Sequence, residues 1–267
     1  MKKLYFGILT AVLLCLCFFG TAALAYAADV TEALSILEQK EGIKASYTLH
    51  PVTGAVRMLT ARDGPIYRNT LPEATPDTVA RTFLGQYGKL FGLGGDQDYV
   101  TKKITNDDNG NSFVRFQQHY MGLPVIAAEF VVQGDSSRNI KSVLGKTTPN
   151  PVVSTTPSIS AADAQNTALQ VTAKYHKMDE SALSASAPVL SIYNPSLLND
   201  AALNSDILVW QTEVTPKHSA PIRQLVLVNA QTGGIALTFN QIPHAKNRVV
   251  YDKNNDASSQ TMPGLPA

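Results

Sequence analysis

Cysteine is nearly absent from this sequence. Cys15 and Cys17 are the only two, and both lie in an apolar stretch near the N-terminus. A lipid-modified cysteine needs a small residue before it, and Leu14 and Leu16 stand there instead. Once that stretch is removed no cysteine remains, which excludes a disulfide framework and any Cys-ligated metal. Long apolar runs are scarce as well. The one run, Leu4 to Phe19, falls short of the about 20 residues that cross a bilayer, and no later stretch comes near it. Excess charge of one sign is also missing: 22 Lys and Arg face 21 Asp and Glu, and dropping Lys2 and Lys3 leaves 20 against 21. Without a basic patch, neither nucleic acid nor a membrane surface is an expected partner.

What stands at the N-terminus is the layout of a secretory signal. Lys2 and Lys3 form the basic region, the short apolar run follows, and Ala22, Ala23, Ala25, Ala27 and Ala28 supply small residues. Ala23-Leu24-Ala25 and Ala25-Tyr26-Ala27 both qualify as cleavage sites, and the second is preferred. Residues 1–27 therefore read as a signal peptide, and the chain as a secreted one without a stable membrane anchor.

The remainder is poor in groups that could do chemistry. The histidines are His50, His119, His176, His218 and His244; no two lie within five residues and none is followed by Glu. A zinc hydrolase of the His-Glu-x-x-His type needs two His one helical turn apart with the Glu as base. Nucleophile-elbow, phosphate-loop and dinucleotide patterns are missing too. Glu129, mid-strand, reads as facing solvent or an ion-pair partner. The expectation is no catalytic residue, no metal and no cofactor in this chain.

Periodicity divides the chain. Asp29 with Glu32 forms a capping box before Leu34, Ile36 and Leu37, and Gly42 stops that helix. Ala45–His50 and Ala55–Thr60 read as a hairpin. Thr75-Pro76 opens a second helix carrying Val79, Phe83, Leu84, Tyr87 and Phe91 up to Gly92. From Ser112 the period becomes two, giving a three-stranded meander with turns at Met121–Pro124 and Gly134–Ser137; Gly122 is the residue expected to take a positive φ there. A Pro/Thr-rich connector from Lys146 to Pro157 is too poor in large apolar groups to pack by itself. Ser160 and Asp163 cap a third helix with Ala164, Ala168, Val171 and Tyr175 on one stripe. Strands follow at Val189–Tyr193, Ile207–Val214, Arg223–Val228 and Ile235–Phe239. The units are thus 28–148 and 159–242, joined by a linker at 149–158 and followed by a polar stretch, 243–267, whose one apolar cluster is Val249-Val250-Tyr251.

The meander carries a recognisable pattern. Val114-Arg115-Phe116-Gln117-Gln118-His119-Tyr120-Met121-Gly122-Leu123-Pro124-Val125 resembles the signature of the fungalysin/thermolysin propeptide domain, and the likeness continues through Glu129–Val132 and Val143-Leu144-Gly145. The motif residues are Arg115, Phe116, Gln118, Tyr120, Gly122, Pro124 and Val125. Where many relatives have an aromatic and then Gly after the Pro-Val, this chain has Ile126 and Ala127. Residues 159–242, with Arg223–Gly233 as their best stretch, are similar to a PepSY domain. Asn247–Asp252 and Met262-Pro263-Gly264 resemble the start of a mature thermolysin-like protease. The resemblance implies an α+β fold of two tandem cystatin-like units, each a helix packed on a curved antiparallel sheet. It implies the prosequence of a secreted zinc metalloprotease, acting as intramolecular chaperone and active-site inhibitor, with a thermolysin-like protease domain as partner in cis or trans. Zinc and calcium are expected only in that catalytic domain, which would follow Ala267. Asn240, Gln241, Ile242, Pro243, His244, Arg248 and Val249 are the candidate contact and processing residues, in an extended segment without strand partners. Such enzymes cut before bulky apolar residues, which singles out the Gln241–Ile242 and Arg248–Val249 bonds. A truncated precursor, a stand-alone secreted inhibitor and an envelope ligand-binding module remain open.

Overall fold

A computed structural model describes residue 26 and residues 29–71, 73–200 and 202–242. The expected signal peptide, with both of its cleavage bonds, lies outside the described residues. So do Pro243, His244, Arg248 and Val249.

The first half begins with helix α1 over 29–41, ended by Gly42 at φ 65°. Leu34 and Leu37 are buried, but Ile36 is half exposed. Leu34 and Leu37 lie three residues apart and share a face, which Ile36 cannot join. Strands β1 (Ala45–Leu49) and β2 (Val56–Ala61) form the expected hairpin. Helix α2 (Pro76–Tyr87) starts where Thr75 Oγ1 accepts the Thr78 N–H at 3.2 Å, with Pro76 in the first turn, where its missing N–H costs nothing. A 3₁₀ turn, Gly88–Phe91, carries the apolar stripe on to Gly92 at φ 68°. The expected meander is present as β4 (Ser112–Tyr120), β5 (Leu123–Gly134) and β6 (Ile140–Gly145). It is preceded by β3 (Gln97–Asn106), which the sequence did not announce. β3 pairs only with β4 and is largely solvated, so it needs little apolar alternation.

In the second half α3 (Ala161–His176) is capped by Ser160, whose Oγ accepts the Asp163 N–H at 3.1 Å. It is followed by β7 (Leu183–Ala185, also unannounced), β8 (Val189–Tyr193), β9 (Ile207–Pro216), β10 (Gln224–Asn229) and β11 (Ile235–Asn240). Helix α3 meets the sheet on small side chains, Ala164, Ala168, Thr172 and Ala173. Tyr175 stays outside that contact, exposed and against the His176 ring.

The strands join in the order β1-β2-β6-β5-β8-β9-β10-β11, with β3 and β4 branching from β5 and β7 from β9. The architecture is α+β, a large sheet with few helices. Helices α1 and α2, both expected from their capping signals, pack on the first half of it, where the resemblance implied one helix per unit. An aromatic set, Tyr67, Phe83, Tyr87, Phe91, Phe116 and Phe130, fills that core, and α3 covers a second core on β7, β9 and β10. The strand common to both halves is β5. It pairs with β4 along most of its length, with β6 through Phe130–Gly134 and, in parallel, with β8 through Val125 and Ile126.

The turn joining β4 to β5 is shorter than expected, because Tyr120 pairs with Leu123 and only Met121 and Gly122 lie between them. Both have positive φ, 48° and 80°, the two-residue turn whose twist matches a hairpin. Nothing lies within 4 Å of where a Gly122 side chain would begin, so a substitution there tests backbone strain alone. Gly122→Val is expected to cost about 1–3 kcal/mol, read as a fall in Tm of several degrees. A shift of under a degree or two would refute the turn.

Candidate functional site

The motif hairpin is held out of regular register. Gln117 pairs with Glu129 and His119 with Pro124, so one residue of β4 faces the four residues Val125–Ala128 of β5. That surplus loop of β5 swings away to reach β8. Its backbone groups are recovered by a side chain: Gln117 Nε2 donates to the carbonyls of Val125 and Ala128, the latter at 3.1 Å. Gln117 is buried, and nothing in the sequence pattern separated it from its neighbour. Within the loop, Ala127 sits at φ 61°. It occupies the place where the resemblance expects Gly, and an L side chain in that conformation costs about 1–2 kcal/mol.

The other motif residues are placed as follows. Arg115 makes an ion pair with Glu129 across the strands at 3.0 Å, the partner expected for that carboxylate. Phe116 stacks on Phe130 at 5.4 Å and meets Tyr99 edge-on at the same distance. Tyr120, Leu123 and Val125 pack with Ile192 and Leu197 of the second half. Pro124 sits opposite His119. Gln118 is fully buried and binds both backbone groups of Thr148: its Oε1 accepts the Thr148 N–H at 3.0 Å, and its Nε2 donates to the Thr148 carbonyl at 2.8 Å and also to Gln97 Oε1. Thr147 Oγ1 donates to the Phe91 carbonyl at 2.6 Å. The connector that looked too polar to pack is therefore fastened where it leaves β6. It is fastened again at its far end, where the Ile159 carbonyl accepts from Trp210 Nε1 at 2.8 Å.

Behind the clamp lies a polar seam between the halves. Asn194 Nδ2 donates to Asp206 Oδ1 (3.0 Å) and to Asn204 Oδ1 (2.7 Å), and Val152 N–H donates to Asp206 Oδ2 at 3.3 Å. Burial raises the Asp206 carboxyl above the usual carboxylate range, against these hydrogen bonds. Beside it Asp200 collects three cations or potential cations from the first half: Lys146 Nζ at 3.0 Å, Arg57 at 3.2 Å and His50 Nε2 at 3.5 Å. Those partners, Lys146 first, hold the Asp200 carboxyl below its ordinary range. His50 is buried, and its Nδ1 accepts the N–H groups of Val52 and Thr53 at 3.3 and 3.2 Å. The proton therefore sits on Nε2, at the long distance from Asp200. Burial lowers the His50 pKa, with Asp200 pulling the other way. A histidine so depressed contributes stability that is full above its unfolded value of about 6.5 and is lost as pH falls from there towards its native value. The expected result is a Tm that declines as pH falls below about 6.5, and a smaller decline in that range for His50→Gln. Identical pH profiles for the two proteins would remove His50 from the account.

The chain leaves the body at the far edge of the sheet. Asn240 is the last residue of β11 and pairs with Gln224. Its Oδ1 accepts the N–H groups of Arg223 (3.0 Å) and Ile242 (3.1 Å), and the Gln241 N–H donates to the Arg223 carbonyl at 2.8 Å. This corrects the expectation of a partnerless segment starting at Asn240: Asn240 is paired with Gln224 of β10, Gln241 is held to Arg223 just before that strand, and Ile242 is held by the Asn240 side chain. The sequence signal was available, since Asn is well suited to bonding the backbone two residues on. Among the described residues the motif strands β4 and β5 and the exit residues Asn240, Gln241 and Ile242 lie at different parts of the sheet. Among the described residues no three His, Cys, Asp or Glu side chains are grouped so as to hold a metal ion, and no helix is long and apolar enough to cross a membrane.

Against known proteins, residues 97–147 match the Fungalysin/Thermolysin Propeptide Motif, a propeptide motif and not a catalytic domain. The matched span runs from the first residue of β3 through β6 to Thr147, so it takes in the unannounced strand together with the hairpin. The resemblance drawn from the hairpin is upheld. A Transglutaminase-activating metalloprotease of Streptomyces mobaraensis is 30% identical over 157 residues, which are 58% of this chain and 20% of that protein. The chain thus spans about a fifth of the length of that relative. Among solved structures, the Bacillus megaterium YpeB C-terminal domain aligns with 14% identity and a TM-score of 0.34, covering 70% of this chain and 72% of that one. An uncharacterized protein from Eubacterium rectale aligns with 10% identity and a TM-score of 0.41, covering 78% and 80%.

Proposed function

We propose that this chain is the prosequence of a secreted thermolysin-like zinc protease, exported by its N-terminal signal and composed of two cystatin-like units, the second of the PepSY kind. It templates folding of the protease domain and blocks the cleft until processing, and it is not itself an enzyme. The observation that carries this reading is the propeptide motif laid over β3 to β6, together with the metalloprotease relative. Zinc and calcium belong to the protease domain. A prosequence acts through differential binding: it stabilises the native protease over its unfolded chain and fills the cleft with an extended segment.

Because Asn240 pairs with Gln224 of β10 and the Gln241 N–H donates to the Arg223 carbonyl just before it, we begin the blocking segment after Ile242, from Pro243 to Val249. The Gln241–Ile242 bond, with both N–H groups engaged, resists cutting in the folded chain, and Arg248–Val249 is the processing bond. The test compares chains ending at Ile242 and at Ala267, of equal Tm, added to a thermolysin-like protease. Both are expected to bind, and only the longer to block peptidase activity. Equal inhibition would place the block on the body. Binding by neither would favour an envelope ligand-binding module. Recovery of activity by a protease refolded in the chain's presence separates the chaperone from a stand-alone inhibitor acting in trans.

A further inference from the structure

The loop between β8 and β9 brings together three properties found nowhere else among the described residues. Leu203 is 82% exposed. Leu203 itself makes no hydrogen bond among the described residues and lies in a stretch, 203–206, without secondary structure, while Ala202 before it gives its N–H to the Asn199 carbonyl at 2.8 Å. The other strongly exposed apolar residues each lack one of these. Val152, more exposed still, follows Pro151 and gives its N–H to Asp206. Leu198 donates its N–H to the Pro195 carbonyl, Leu71 donates its own to Asn69 Oδ1, and Met121 donates to the Asp96 carbonyl inside a two-residue turn. Tyr175, Val189, Ile235 and Phe239 lie in helix or strand. A protease takes its substrate as an extended strand with an anchoring side chain, so it needs free backbone and an accessible apolar group together.

We propose that the Ala202–Leu203 bond is where a thermolysin-like protease clips and disarms this chain. This rests on the prosequence reading. Water adds across the amide, the C–N bond breaks, and Ala202 keeps a carboxylate while Leu203 gains an ammonium. The position gives the cut its consequence. Asp200, joined to His50, Arg57 and Lys146 of the first half, stays on one product, whereas Asn204 and Asp206, joined to Asn194, Thr148 and Val152, go with the other. The second product takes β9, β10 and β11, and α3 remains with the first. The core between α3 and those strands then has no covalent link across it, and it holds only at concentrations where two fragments stay associated.

The experiment follows the mature-length chain with catalytic amounts of thermolysin by intact mass, while measuring its inhibition of a thermolysin-like protease. The first cut within 29–240 is expected at Ala202–Leu203, and inhibition is expected to fall in step with that cut after dilution. Leu203→Asp should slow the cut about tenfold or more with no change in Tm, and Leu198→Asp should not. A first cut elsewhere in the body, or an unaltered rate for Leu203→Asp, overturns the assignment. Inhibition that survives complete clipping and dilution overturns the disarming. Inhibition absent before any cut is a failure of the prosequence reading and not of the loop.

Discussion

Gln118→Leu is expected to lower the stability of the chain by about 2–6 kcal/mol, the cost of leaving two buried backbone groups without partners at about 1–3 kcal/mol each. The side chain it removes is fully buried and closes a two-point bond on Thr148, with 3.0 Å on the N–H and 2.8 Å on the carbonyl. Leucine keeps much of the volume and none of the hydrogen bonding, and water has no ready way in, because Thr148 is itself buried. For a chain of this size the loss corresponds to a fall in Tm of roughly 4–24 °C. The damage should not stay local. Thr148 Oγ1 faces Asp206 at 3.4 Å and Asn194 at 3.3 Å, so releasing the connector loosens the seam to the second half. Hydrogen exchange should therefore rise at Asn194–Asp206 as well as at the hairpin. A loss below 1 kcal/mol would mean that Thr148 finds other partners and that Gln118 belongs to the motif for some contact outside this chain. Arg115→Ala is the contrasting case. Its ion pair with Glu129 is half exposed, and such pairs contribute about 0–1 kcal/mol.

These two residues show how far the sequence could be read. Arg115, Phe116 and Gln118 stood out together as a spacing pattern, yet the pattern could not tell a surface ion pair from a buried clamp. That distinction depends on where Thr148 lies thirty residues later. Elements with local signals were legible: Thr75-Pro76 opens α2, Ser160 with Asp163 caps α3, and alternation marks β4 to β6. β3 was not legible, because an edge strand exposed along most of its length is free to be polar, and its Tyr99 serves the core by itself. The surplus loop at Val125–Ala128 was invisible too, since a break in register changes no residue type. Ala127 was the one trace of it, a departure from the Gly that the resemblance expected, and it falls at the left-handed position. The exit was misread because Asn240 looked like the start of a polar tail, whereas its backbone pairs with Gln224 of β10 and its side-chain amide bonds to Pro221 and Arg223 just before that strand.

Gly145→Ala is expected to be the more damaging of two chemically identical changes, the other being Gly85→Ala. At Gly145 the added carbon would stand 2.3 Å from the Glu129 carbonyl oxygen and 2.4 Å from Cα and Cβ of Phe130. Real side-chain carbons do not come so close, and the obstacles are two main-chain atoms of the paired strand and the Phe130 Cβ, none of which a rotamer change can move. Phe130 cannot retreat either. It is buried and lies among Phe116 at 5.4 Å, Tyr99 at 6.2 Å and Phe91 at 6.3 Å. Relief requires β6 to part from β5 just where Lys146 N–H meets the Glu129 carbonyl at 2.9 Å and the chain heads for the Thr148 clamp. The cost should lie at or above the top of the usual overpacking range, about 3 kcal/mol or more, seen as a loss of roughly 10 °C in Tm or as failure to accumulate. Gly85 lies inside α2 with nothing within 4 Å of its Cβ position and no positive φ. There alanine only removes backbone freedom from the unfolded chain and should stabilise by about 0.5–1 kcal/mol. Opposite signs in the two melts would establish that the Val143-Leu144-Gly145 end of the motif exists to let two strands approach. Equal small effects would show that β6 can shift, and would leave that glycine without a structural reason.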